Sequence, residues 1–167
     1  MRPIVLIGLF GALAMSGCAS TGAVPSPFPR PGSPPGSAST PVASKEHRSV
    51  LVGTALSLRG TPYRDGGTDP SGFDCSGFVA YVFAQQGQFV PRTVSEQYRT
   101  GSTVSRAALA PGDLVFFRTT ARGASHVGIA VSEGEFVHAP TSAGGVRVDS
   151  LATPYWASRF LGARRLP

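Results

Sequence analysis

The octapeptide Phe73-Asp74-Cys75-Ser76-Gly77-Phe78-Val79-Ala80 sets a cysteine behind an aspartate at the head of an apolar run. The chain has only one other cysteine, Cys18, and three histidines, His47, His126 and His138. A thiolate attacks carbonyl carbon when a histidine manages its proton and a third group orients that histidine. Cys75, His126 and His138 supply the residue types for such a set. Asp74 is a good N-cap, which puts Cys75 in the first turn of a helix, where unpaired backbone N–H groups and the positive end of the dipole favour thiolate. The charge of Asp74 works against this, so it serves either as the cap or as a partner for a substrate amine. Two blander readings stand beside this one. Cys75 is also suited to being a buried small hydrophobe. Cys75, His126 and His138 are also three potential zinc ligands, but no second cysteine or acid stands at a zinc spacing, and no metal is expected.

Strand geometry tests the histidine pair. His126 opens HVGIAV and His138 closes EFVH, with Ser132-Glu133-Gly134 between. A two-residue loop would pair His138 with Ile129 and put the two imidazoles on opposite faces of the sheet. A three-residue loop, with Gly134 in the left-handed position, pairs Val131 with Glu135 and sets His138 opposite Gly128. His126 then shares that face as a diagonal neighbour, about 7–8 Å away at the root and within reach of an imidazole contact. The three-residue loop is expected, with His126 as base and His138 orienting it. His47 lies on the polar side of the first helix and is read as surface.

The elements that must position these residues follow from periodicity. A helix is expected from Lys45 to Leu58, capped by Ser44, with Val50, Leu51, Ala55, Leu56 and Leu58 buried. The glycine-rich loop YRDGGTDPSG leads to Asp74, and a second helix runs from Cys75 to Gln86. Thr93 and Glu96 have capping-box spacing for a short third helix. Strands are expected at 114–118, 126–131, 136–139, 146–149 and 159–165. Helices first and strands afterwards define an α+β domain, with helices packed on an antiparallel sheet.

Residues 1–17 have the layout of a secretory signal peptide: Arg2, an apolar run from Ile4 to Met15, then small residues. That run is shorter than the roughly 20 residues of a membrane-spanning helix. Met15-Ser16-Gly17-Cys18 resembles a lipobox, with methionine where leucine is usual, so lipidation of Cys18 is expected; several acyl chains give stable anchoring. It would also remove the only disulfide partner of Cys75. Residues 18–44, rich in Pro, Ser and Gly, read as a linker reaching at most roughly 80 Å at about 3.1 Å per residue. The remaining residues, 45–167, suffice for one domain. With Arg2 and Arg30 set aside, 13 basic residues outnumber 9 acidic ones. A modest excess suits an anionic polymer, and the absence of a basic run interleaved with aromatics argues against nucleic acid.

Six segments in order, PYRDGG, FDCSGFV, PRTVSEQ, PGDLVFF, SHVGIAV and FVHAP, resemble the NlpC-type cell-wall cysteine peptidases, here as a lipoprotein member. The resemblance covers essentially all of Lys45 to Arg165. It implies a reduced papain-like fold, with the nucleophile helix packed against a central antiparallel sheet of about five strands. Cys75 matches the nucleophile, His126 the base and His138 the third residue. Tyr63 matches a tyrosine whose hydroxyl approaches the cysteine, and Asp74 and Ser76 match positions lining the substrate cleft. The implied reaction is hydrolysis of amide bonds in peptidoglycan peptide stems or cross-links, by a monomer without cofactors. The expected place is the cell envelope, lipid-anchored and facing the periplasm if there is an outer membrane. A catalytically weak murein-binding lipoprotein, or an acyltransferase or amidase with another substrate, are the alternatives.

Overall fold

The computed structural model describes residues 45–120, 122–140 and 144–167. The expected leader, the Cys18 lipidation site, the linker and the Ser44 cap lie outside the described residues. Helix α1 (Lys45–Ser57) turns Leu51 and Ala55, four residues apart, into the core. Val50, expected to be buried, is 55% exposed, because one residue before Leu51 points about a quarter-turn away from that stripe. The glycine-rich loop contains two very short strands, β1 (Thr68–Asp69) and β2 (Gly72–Phe73), paired antiparallel. They deliver the chain to α2 (Cys75–Ala84), in which Cys75, Phe78, Val79, Val82 and Phe83 are all buried. A helix apolar on so much of its circumference belongs inside a domain, not on its surface.

Then come α3 (Val94–Gln97), β3 (Ser102–Val104), β4 (Leu114–Phe117), β5 (His126–Ala130), β6 (Glu135–His138), β7 (Arg147–Ser150), α4 (Pro154–Ala157) and β8 (Phe160–Arg165). Strands β3 to β8 form an antiparallel sheet in the order β3-β8-β4-β5-β6-β7. It has six strands where about five were expected. The extra one is β3, a short Ser-Thr-Val segment behind Gly101, too polar to show alternation, which pairs with β8 from Ser102–Arg165 to Val104–Ala163.

The sheet is apolar on both faces, which is why all four residues of β4 are buried. Leu114 and Phe116 pack with Val127, Ile129 and Val137 against α1 and α2. Val115 and Phe117 pack with Phe136, Leu151 and Trp156 on the other side. This is the α+β arrangement expected, a buried nucleophile helix against an antiparallel sheet.

The hairpin β5–β6 has the expected register. Ile129 pairs with Val137 and Ala130 with Phe136, and the Val131 N–H donates to the Glu135 carbonyl at 2.9 Å. The left-handed Gly134 expected there is not found, since Gly134 is not among the residues with positive φ. The tighter constraint is Gly128, across from His138. A Cβ there would meet the Phe136 ring at 2.6 Å, the Val137 carbonyl oxygen at 2.8 Å and the His138 Cβ at 3.1 Å.

Candidate active site

Asp74 caps α2 as expected. Its backbone is extended and its carboxylate accepts the Gly77 N–H at 2.7 Å. The tight turn before it depends on Gly77, where a Cβ would lie 2.0 Å from the Gly67 carbonyl oxygen. Cys75 is buried, a free thiol among the described residues. Backbone N–H groups of Val127, Ser76 and Cys75 itself point at its sulphur. The Val127 contact brings the thiol to the start of β5, one residue from His126.

Burial, then the Asp74 charge, push the Cys75 thiol up, and the three N–H groups offset only part of this. The expected preference for thiolate is therefore not the net result. Burial, then the neighbouring His138, push His126 down to about 3. Both groups are thus pushed toward their neutral forms, the thiol up and the imidazole down.

The two histidines share one face of the sheet. His126 Nε2 lies 2.8 Å from His138 Nδ1, and His138 Nε2 lies 3.0 Å from Asp149 Oδ2. In register terms, His138 sits opposite Gly128 and Arg147, with His126 one step back on β5 and Asp149 one step forward on β7. The three side chains form a straight diagonal across three adjacent strands, each within side-chain reach of the next.

This row fixes the tautomers. Burial opposes ionisation of Asp149, but hydrogen bonds from Trp156, His138 and Arg147 prevail and hold its carboxyl below the usual range. A carboxylate only accepts, so His138 Nε2 carries the hydrogen. Burial pushes His138 down to about 4 despite the opposing pull of Asp149, so it is neutral and its Nδ1 only accepts. His126 must then donate from Nε2. Its Nδ1 is left with a free lone pair, the form a general base requires.

Asp149 is itself held by the Trp156 indole N–H at 2.9 Å and the Arg147 Nε–H at 3.2 Å. The Trp156 ring stacks on His126, with centroids 5.4 Å apart and planes at 22°. Sequence reasoning missed Asp149, Arg147 and Trp156. The available signal was the second ring nitrogen of His138, which needs a buried acceptor, together with the period-2 pattern of Arg147-Val148-Asp149.

The remaining candidates gather around Cys75. Tyr63 bridges to Phe73 beside the nucleophile turn and is half-buried. Burial, then Asp65, Cys75 and Asp74, raise its hydroxyl pKa, with Arg92 opposing. Asp74 and Ser76 are already engaged. Arg92 donates to Asp74 Oδ2 at 2.5 Å, to Asp74 Oδ1 at 3.0 Å and to Ser76 Oγ at 2.8 Å. Arg92 lies in the PRTVSEQ segment, and its signal in the sequence was that a half-buried carboxylate beside a thiol calls for a counter-cation. Next to it, Gln97 donates to the Ser76 and Pro91 carbonyls at 3.0 and 2.7 Å, tying that loop to α2. His47 is half-buried on α1. Among the described residues no cluster of His, Cys, Asp and Glu is suited to a metal ion.

A thiol at the start of a buried helix that packs on an antiparallel sheet, with an oriented imidazole on that sheet, is the arrangement of the papain-like cysteine-hydrolase class. The profile of the NlpC/P60 family matches residues 60–165, more than half of the chain, and the chain belongs to that family. It is 44% identical over 122 residues to murein DD-endopeptidase MepH of Escherichia coli, covering 70% of this chain and 45% of that protein. It is 42% identical over 126 residues to murein DD-endopeptidase MepS/murein LD-carboxypeptidase of the same species, covering 75% and 66%. The chain thus spans less than two thirds of either relative. An NlpC/P60 family protein from Bacillus cereus superposes with a TM-score of 0.68 at 35% identity, over 72% of this chain and 40% of that one.

Proposed function

We infer that the protein is a cell-wall cysteine endopeptidase that hydrolyses amide bonds of peptidoglycan, with Cys75 as nucleophile, His126 as base and His138 orienting His126. The observation that carries this reading is the row His126–His138–Asp149, which leaves the Nδ1 lone pair of His126 as the free acceptor, on the residue next to the Val127 N–H that meets Cys75. Family membership and the names of the relatives support the substrate. Both names include a D,D bond and the second also an L,D bond, so a D,D bond is the first to test.

The reaction follows from the resting charge state. As Sγ bonds to the scissile carbonyl carbon, its proton passes to His126 Nδ1. The carbonyl π electrons move onto oxygen, which meets the backbone N–H of Cys75 at the helix start. His126 returns the proton to the leaving amine as the C–N bond breaks. Water, deprotonated by the same imidazole, then releases the acyl group from sulphur. Transfer of the proton within the complex avoids a thiolate in the free enzyme, which burial and Asp74 disfavour.

The rest of the chain fits this place of work. Residues 1–17 act as leader, Cys18 carries lipid, and residues 18–44 space the domain from a membrane, outer and periplasm-facing where one exists. The deciding experiment is digestion of purified peptidoglycan by the protein and its Cys75→Ala variant, with products identified by mass. New amine and carboxyl ends that need the cysteine are expected. Intact wall with both proteins sedimenting on it would replace the endopeptidase with a binding protein.

A further inference from the structure

The endopeptidase reading, on which this inference rests, splits the substrate at a fixed point. The acyl carbon must reach Sγ of Cys75, and the departing nitrogen must reach the imidazole of His126, which protonates it. Whatever the amine belongs to therefore leaves along the His126 side. The structure has a cleft of about 480 Å³ there, with His126, Trp156, Tyr155, Arg147, Thr119 and Thr120 among its walls. Cys75, Tyr63, Asp74, Ser76 and Arg92 are not among them, so the cleft meets the site through His126 alone. Thr119 and Thr120 also line a second, shallow cleft of about 460 Å³, whose other residues are Arg118, Ser158 and Arg159. The two clefts thus adjoin at Thr119 and Thr120, a groove of two lobes of which the first includes His126.

The charge along this groove is one-sided. Asp149 is its only acid, and that carboxylate is consumed by His138, Trp156 and Arg147. Arg147 and Asp149 cancel. Beyond them, Arg118 is exposed, and Arg159 lies with its guanidinium 4.0 Å over the Tyr155 ring and donates to the Tyr155 carbonyl at 3.1 Å and to Ser158 Oγ at 3.2 Å. None of the ion pairs among the described residues involves either arginine. Arg159 is therefore held in place by neutral groups and keeps its full charge. A planar guanidinium fixed in advance suits a carboxylate, which it can bind through two parallel N–H groups.

We propose that this groove is the leaving-group subsite, and that Arg159 and Arg118 select an amine-side fragment bearing a free carboxylate close to the nitrogen that is released. Trp156 and Tyr155 would supply its apolar wall. The enzyme would then discriminate between cross-linked stems whose amine-donating residue is a free acid and those in which that residue is amidated.

The chain's single tryptophan stands in the groove, so occupancy is readable without catalysis. Two synthetic amine fragments, identical except for carboxylate or carboxamide on the amine-bearing residue, are titrated into the Cys75→Ala protein while Trp156 fluorescence is followed. The carboxylate fragment should bind about tenfold tighter, and the advantage should shrink to less than twofold in the Arg118→Gln/Arg159→Gln variant and at 0.5 M salt. Circular dichroism of the double variant should match the parent, as both side chains are at or near the surface. Equal affinity for the two fragments, or a preference that survives loss of both arginines, overturns the proposal. The matched cross-linked amides are then offered to the unmodified protein. Selective binding without hydrolysis of either amide would overturn the endopeptidase reading, and with it the leaving-group role, leaving the groove as a carboxylate-selective binding site. Hydrolysis of both amides at equal rates would overturn the subsite and leave the endopeptidase reading standing.

Discussion

Asp149 Oδ2 accepts the Nε2–H of His138 at 3.0 Å, and through that one bond it determines which nitrogen of His126, a strand further away, bears a proton. The carboxylate touches neither thiol nor base. Its influence travels by obligatory donor–acceptor alternation through two neutral imidazoles, each with one donor and one acceptor.

Asp149→Asn should therefore release both tautomers while keeping the volume. The amide can offer either its oxygen or its NH₂ to His138, so His126 would populate the form with hydrogen on Nδ1. On the proposed function, kcat should fall about 10- to 100-fold with KM within twofold, the size seen for outer-shell partners of functional histidines. Nitrogen-15 spectra of the imidazoles report the tautomer directly. A single Nε2–H form of His126 is expected in the parent and a mixture in the variant; an unchanged spectrum in the variant would rule out control by Asp149.

Gly128→Ala tests the crossing point of the row. The added methyl must displace the Phe136 ring, the Val137 carbonyl or the root of His138, all within 3.1 Å, and the backbone carbonyl cannot yield cheaply. Overpacking of this kind costs about 1–3 kcal/mol. Because one of the displaced groups carries His138, activity should fall by more than the unfolded fraction accounts for. The comparison of kcat at a temperature where both proteins are fully folded, by denaturation midpoint, isolates that part. A folded variant with parental kcat would show that the row tolerates displacement of His138.

Arg92→Ala should leave Asp74 with only the Gly77 N–H and the Ser76 hydroxyl. An uncompensated carboxylate beside Cys75 then pushes the thiol further up, since the cation that faces both is gone. In protein carrying Cys18→Ser, so that Cys75 is the one thiol, alkylation by iodoacetamide at pH 8 should slow at least threefold, and Asp74→Asn added to Arg92→Ala should restore most of the rate. Unchanged alkylation in Arg92→Ala would mean that the ion pair does not govern the thiol.

The positions of Cys75, His126 and His138 were legible because each rests on a short-range rule. Asp74 caps its own helix, and the two histidines bracket a short hairpin whose register is held by the close fit at Gly128. Asp149, Trp156 and Arg92 were not, since each meets the site only after non-local pairing, β6 with β7 and the 91–93 loop with α2. The strand β3 was missed for a related reason: its three residues are stabilised by β8, some 60 positions later, and carry little pattern of their own. The thiol's surroundings were legible in part: the helix start and the opposing Asp74 are where they were expected, but burial, which pushes the thiol up most, is a property of the packed fold.

The buried histidine row also sets the acid sensitivity of the fold. His126 and His138 are held at about 3 and about 4, against about 6.5 in an unfolded chain. A depressed histidine is neutral when folded and charged when unfolded, so the unfolded state binds more protons between these values, and stability rises with pH across that window. The contribution is complete above about pH 6.5 and is lost as pH falls toward 4. The carboxylates held low by partners, Asp74 and Asp149, lose theirs only below about pH 4 to 5, so the interval from pH 7 to 5 belongs to the histidines. Across it, two such groups should remove about 2–4 kcal/mol. Urea unfolding followed by Trp156 fluorescence at pH 7, 6 and 5 measures this, with uptake of close to two protons expected from the slope. Uptake of only one proton would mean that one imidazole is already charged in the folded protein, and a flat profile that both are; in either case the donor–acceptor alternation from Asp149 to His126 Nδ1 would fail.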